Sequence, residues 1–195
     1  MSAHLIFLVH GMGVHDEGWS EAVQTQLAQQ YHDLEWSQLY SWGGHFRPVE
    51  IRYDDLFESI RARWQRDSPG VVATLREGGL AARGMHKLER LRERVGADGV
   101  LQTHVLDVLM YHFVATVREA VKVRVTRQIV DALAAAPAGS RWSVIAHSLG
   151  TAVTHDTLHA LGAGQVDGSA DIRRAHLVVM LANVSRTLQQ EAVKT

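Results

Sequence analysis

At 195 residues, with 46% apolar side chains and a formal net charge of -1, the chain is sized for one domain with a sizeable core and carries no overall field that would gather nucleic acid. It contains no cysteine, which excludes disulfides, zinc-thiolate sites and a thiol nucleophile. No apolar run reaches the length of a membrane span, and the first one starts at residue 4 with no basic leader, so a core strand and a cytoplasmic location are expected rather than a signal peptide.

Residues 4–13 (HLIFLVHGMG) read as an apolar strand ending in a His10-Gly11 turn, followed by a polar, turn-like stretch over 14–18. Over 19–31 the apolar residues Trp19, Ala22, Val23, Leu27 and Tyr31 recur at helical spacing, with Gly18 or Ser20 to begin the helix. Residues 36–46, containing Trp42-Gly43-Gly44, read as loop. Over 48–53, Val49, Ile51 and Tyr53 alternate with Glu50 and Arg52, which marks a strand with one less buried face.

From 54 to 99 the chain turns helical and charged. Arg61, Arg63, Arg66, Arg76, Arg83, Lys87, Arg90, Arg92 and Arg94 are interleaved with acids, and Pro69-Gly70, Gly78, Gly79, Gly84 and Gly96 interrupt the run. Two readings stand: a mobile basic lid that makes peripheral contact with anionic lipid, or a solvated helical insertion whose acids Glu77, Glu89 and Glu93 offset the charge. Residues 100–136 carry Val114, Val117, Val121, Val125, Ile129 and Leu133 at three- and four-residue spacing, one long helix or two, ended by Pro137-Ala138-Gly139. His104 and Asp107 share a face there, but His112 lies roughly 12 Å further along the axis, so no metal site is expected.

Residues 142–146 form a second apolar strand that stops at Ser148, a helix follows to Leu161 with Gly162 placed to end it, and 165–174 is a polar connector. Residues 176–184 (HLVVMLANV) are almost wholly apolar and predict a strand buried on both faces. The fold expected is α/β, a mostly parallel sheet flanked by helices. Its order runs 49–53 outermost, then 5–9, then 142–147, then 177–184.

Ala146-His147-Ser148-Leu149-Gly150 is a form of the G-x-S-x-G nucleophile elbow with alanine in the first glycine position. Small residues flank the serine because it is held in a strained backbone conformation and bulk two residues away would collide across the turn. With the His10-Gly11 turn upstream and the strand-helix alternation between the two motifs, the chain resembles the N-terminal portion of the α/β-hydrolase superfamily, in its lipase and esterase branch. More narrowly, HGMG, a helical insertion and IAHSLGTAV resemble the lipase-like serine hydrolases related to GPI inositol-deacylases.

The resemblance implies one incomplete hydrolase domain over 1–195 with a helical insertion at about 54–99. It implies Ser148 as nucleophile, the backbone N–H groups of Met12 and Leu149 as oxyanion donors, and His10, Gly11, Gly13, Ala146 and Gly150 as support for the two turns. The implied substrate is a small-molecule or lipid ester, with no metal and no organic cofactor. His147 precedes the serine on a strand and is expected to point away from it.

In the resembled pattern an acid and then a histidine follow the serine. Here His155 and His159 fall inside the elbow helix, His176 starts the last strand at the far end of the sheet, and Asp156, Asp167 and Asp171 are equally poor matches. The triad acid and histidine therefore stay unassigned. Either the natural protein continues past Thr195 with further strands and both residues, or His10 or His15 substitutes, or the site is inactive. On the first expectation, residues 1–195 alone are not a competent enzyme. Two function classes stay open, a serine hydrolase of esterase or lipase type and a non-catalytic hydrolase-fold binding protein, and the sequence leaves the oligomeric state open.

Overall fold

The five residues Leu5 to Val9 contain no polar side chain, and all five are buried. That is the requirement on a central strand of a parallel sheet, covered on both faces by helices. In the computed structural model, which describes residues 3–34, 37, 41–67, 111, 114–165, 168 and 174–184, this run is β1 (His4–Val9). It pairs in parallel with β2 (Phe46–Ile51) on one side and β3 (Arg141–His147) on the other, and β3 pairs in parallel with β4 (Leu177–Leu181). The order β2-β1-β3-β4 is the one the sequence predicts, and the architecture is α/β. Val9 stands opposite both Ile51 and Ala146, and His147 opposite Leu181, so the strands finish along one edge.

The chain divides into two compact units. The first comprises Met1–Gly11, His15–Arg52 and Val121–Thr195, and the second Met12–Val14 and Tyr53–Ala120. The first unit holds the sheet, α1 (Glu21–His32), α2 (Trp42–His45), most of α4 (Ala115–Ala134) and α5 (Leu149–Gly162). On α4, Val121, Val125 and Ile129 recur every four residues and are almost fully buried, as their spacing predicts. The Gln128 side chain accepts from the Arg52 N–H at 3.1 Å and donates to the Arg52 carbonyl at 2.8 Å, fixing α4 to the end of β2. In the second unit α3 (Asp54–Asp67) begins where the helical region was expected, with the buried rings of Tyr53 and Phe57 6.0 Å apart. The insertion beyond residue 67, the lid reading, and His104, Asp107 and His112 lie outside the described residues.

Three expectations need correction. Residues 42–45 form the single helical turn α2 rather than loop, and β2 begins at Phe46, two residues early. Pro48 is tolerated inside β2 because that strand pairs only with β1 among the described residues, so the missing N–H breaks no ladder on its other side. As expected, α5 ends at Gly162; Gly164, two residues on, takes the left-handed conformation (φ 64°), and Gln165 N–H closes on the Ala160 carbonyl at 3.0 Å. Finally, β4 is not buried on both faces: Leu177 is 56% and Leu181 50% exposed, since β4 pairs only with β3 among the described residues. No described helix is long and apolar enough to cross a membrane.

Candidate active site at the strand-helix elbow

One residue joins β3 to α5. It is Ser148, at φ 52° and ψ -122°, a backbone region that glycine enters freely and residues with a Cβ avoid. Such strain persists only where the surroundings over-determine it, and here two glycines show how. A Cβ on Gly150 would meet the His10 carbonyl and lie 2.8 Å from the Val9 carbonyl oxygen, so only glycine lets the first turn of α5 seat on the end of β1. A Cβ on Gly11 would lie 3.1 Å from the Ser148 Cβ and 3.3 Å from the His147 carbonyl oxygen. The His10-Gly11 turn is therefore pressed against the serine itself. Ala146, fully buried, leaves no bulk beneath the elbow.

The Ser148 side chain is half-buried, and its hydroxyl makes no hydrogen bond to any described residue. Its backbone is tied down instead: the Ser148 N–H donates to the Leu181 carbonyl at 2.9 Å, and the Ser148 carbonyl accepts from the Thr151 N–H at 2.9 Å. Leu149 is buried and opens α5, so its N–H belongs to the helix terminus, where unpaired amides and the helix dipole favour negative charge. Met12 and Gly13 belong to the second unit, Met12 half-buried and Gly13 at φ 105°.

The ring of His10 is almost fully buried. Its Nδ1 donates to the Gly11 carbonyl at 2.9 Å, so in the neutral ring Nε2 is the basic nitrogen. The His15 ring stacks on it at 4.0 Å between centroids, and Trp19 meets both rings edge-on at 5.5 Å. The loop that carries His15 and Trp19 is held by Glu50 of β2. The Glu50 carboxylate accepts from the Gly18 N–H (3.0 Å), the Ser20 N–H (2.9 Å) and the Ser20 hydroxyl (2.7 Å). Burial pushes the Glu50 carboxyl up, but the Ser20 and Gly18 hydrogen bonds and nearby Arg52 outweigh it, and the group is held below the ordinary value. Sequence reasoning missed this clamp. Glu50 reads there only as an outward-facing polar position, and nothing in its own segment points to Ser20.

The remaining candidates are spread out. His155 and His159 are exposed on α5, with His155 Nδ1 3.7 Å from the half-buried Asp156. His176 sits at the other end of the sheet, where its N–H donates to the Trp142 carbonyl and its ring meets that of His4 at 5.6 Å. His147 is exposed, its ring alongside Gly11. Asp167 and Asp171 lie outside the described residues. Among the described residues no hydrogen bond joins the Ser148 hydroxyl to a histidine. A hollow of about 400 Å³ bordered by Val130, Leu133, Pro137 and Trp142 opens at the opposite end of β3 from Ser148, and takes no part in this arrangement. No family model, curated protein or solved structure matches the chain.

Proposed function

We propose that the chain is a serine hydrolase of the α/β-hydrolase superfamily, of lipase or esterase type, acting on carboxylic esters through an acyl-enzyme at Ser148. One observation carries this reading: a serine at positive φ on the single-residue junction between β3 and α5, with Gly11 packed against its Cβ and its hydroxyl unengaged by described residues. A structural serine has no need of a conformation that costs of order 1–3 kcal/mol. In the proposed reaction the Ser148 oxygen attacks the ester carbonyl and loses its proton to a base. The carbonyl oxygen takes the negative charge beside the Leu149 N–H, the alcohol leaves with a proton, and water then releases the acid. The proposal also carries a cytoplasmic location and needs no metal or organic cofactor.

The base is unassigned after Ser148. Before it, His10 and His15 stand at the turn that touches the serine, and His10 holds a defined tautomer. A second reading, a hydrolase-fold binding protein without turnover, is favoured by the exposed positions of His155 and His159 and the remote one of His176. Hydrolysis of p-nitrophenyl acyl esters by the wild type and by Ser148→Ala separates the two. The enzyme reading expects release of p-nitrophenolate that the substitution removes, at a rate roughly four to six orders below that of a complete triad if no base is engaged. Equal rates in the two proteins favour the binder.

A further inference from the structure

Thr151 lies in the first turn of α5 and is fully buried. Its hydroxyl bridges two segments. It donates to the Ser148 carbonyl at 2.6 Å and accepts from the Val184 N–H at 3.1 Å. Val184 belongs to the turn after β4, whose other end is also tied to the elbow, because the Leu181 carbonyl accepts from the Ser148 N–H at 2.9 Å. Between these attachments Ala182 sits at φ 49°, with Ser148 the only other described non-glycine residue at positive φ. The two strained residues are thus joined by one hydrogen-bonded ring.

We infer that Thr151 is a positioning residue that latches the turn over residues 181–184 to the elbow and so holds Ser148 in its reactive conformation, an inference that rests on the hydrolase reading above. The chemistry of the site selects this residue type. A valine fills the same volume but leaves the half-buried Val184 N–H without its acceptor and the Ser148 carbonyl with the Thr151 N–H alone. A serine keeps both bonds. With the latch gone, the backbone of Ser148 has a path to relax its strain, and the oxygen moves from the place where attack is aligned. A displacement of about 1 Å can cost on the order of a hundredfold in rate.

The test compares wild type, Thr151→Ser, Thr151→Val and, as a second hydroxyl-free variant, Thr151→Ala. Residue-resolved amide exchange reads Val184. Modification of Ser148 by a fluorophosphonate, followed over a range of probe concentrations, separates the limiting rate from probe affinity. Expected are faster Val184 exchange and a limiting rate about ten- to a hundredfold lower in both hydroxyl-free variants, with probe affinity unchanged and Thr151→Ser close to wild type. Unchanged Val184 exchange in Thr151→Val overturns the inference, as does a Thr151→Ser protein that loses as much rate as Thr151→Val. A wild type that takes no label overturns the hydrolase reading instead. Val184 exchange then decides the latch by itself, faster exchange in Thr151→Val supporting it and equal exchange overturning it.

Discussion

Replacing Ser148 by glycine should make the protein more stable, and replacing it by alanine should not. The φ of 52° with ψ of -122° is strained for any residue bearing a Cβ, at a cost of about 1–3 kcal/mol that glycine does not incur. Two terms oppose the gain. The unfolded chain becomes more flexible with glycine by about 0.4–1 kcal/mol, and loss of a half-buried Cβ removes roughly 0.4 kcal/mol, half of what a fully buried methylene contributes. The net gain is about 1 kcal/mol, which in a chain of this size raises the melting temperature by roughly 2–4 °C. Ser148→Ala keeps the Cβ and the strain and deletes a hydroxyl with no described partner, so its stability should stay within about 0.5 kcal/mol of wild type. Thermal unfolding of the three proteins side by side is the assay, read as the difference between the glycine and alanine variants. A glycine variant no more stable than the alanine variant would refute the claim that strain is stored at this residue.

Gly150→Ala, a change that helps most exposed helix positions by up to about 1 kcal/mol, should here destabilise by about 1–3 kcal/mol, because the new methyl meets the Val9 and His10 carbonyls at the end of β1; a raised melting temperature would contradict that seating. The Glu50 clamp gives an acid limb: its folded pKa is held below 4.5, so its contribution is full above that value and lost as pH falls through the lower folded one. Glu50→Gln should flatten that limb and cost about 1 kcal/mol at neutral pH, since the site is partly exposed, as thermal melts from pH 7 to pH 3 will show. His4, lowered below 6.5 by burial first and then by His176, His45 and Arg141, contributes stability above pH 6.5 that is lost as pH falls, and His4→Asn should remove the dependence in melts between pH 7 and pH 5.

What the sequence discloses follows from what each element needs locally. The central strands are legible because burial on both faces writes an unbroken apolar run, as in Leu5 to Val9, and the parallel order follows from helices falling between strands. The elbow is legible as a pattern of small residues, although the reason for Gly150 lies in the carbonyls of residues 140 positions earlier, which only the register of β1 against β3 reveals. Four residues of α2 are too few to show a period. The exposure of Leu177 and Leu181 depends on what lies beside β4, and no property of LVVML encodes its neighbours. The Glu50 and Thr151 contacts join segments about thirty residues apart, through side chains whose own surroundings look ordinary.

Whether Ser148 acts as the proposed nucleophile is decided by the site of attachment of a fluorophosphonate probe, located by peptide mapping after incubation with the intact protein and with Ser148→Ala. A single adduct is expected on the peptide containing Ser148, absent in the alanine variant and reduced when an acyl ester competes. An unmodified Ser148, or an adduct that persists in Ser148→Ala, would contradict that role.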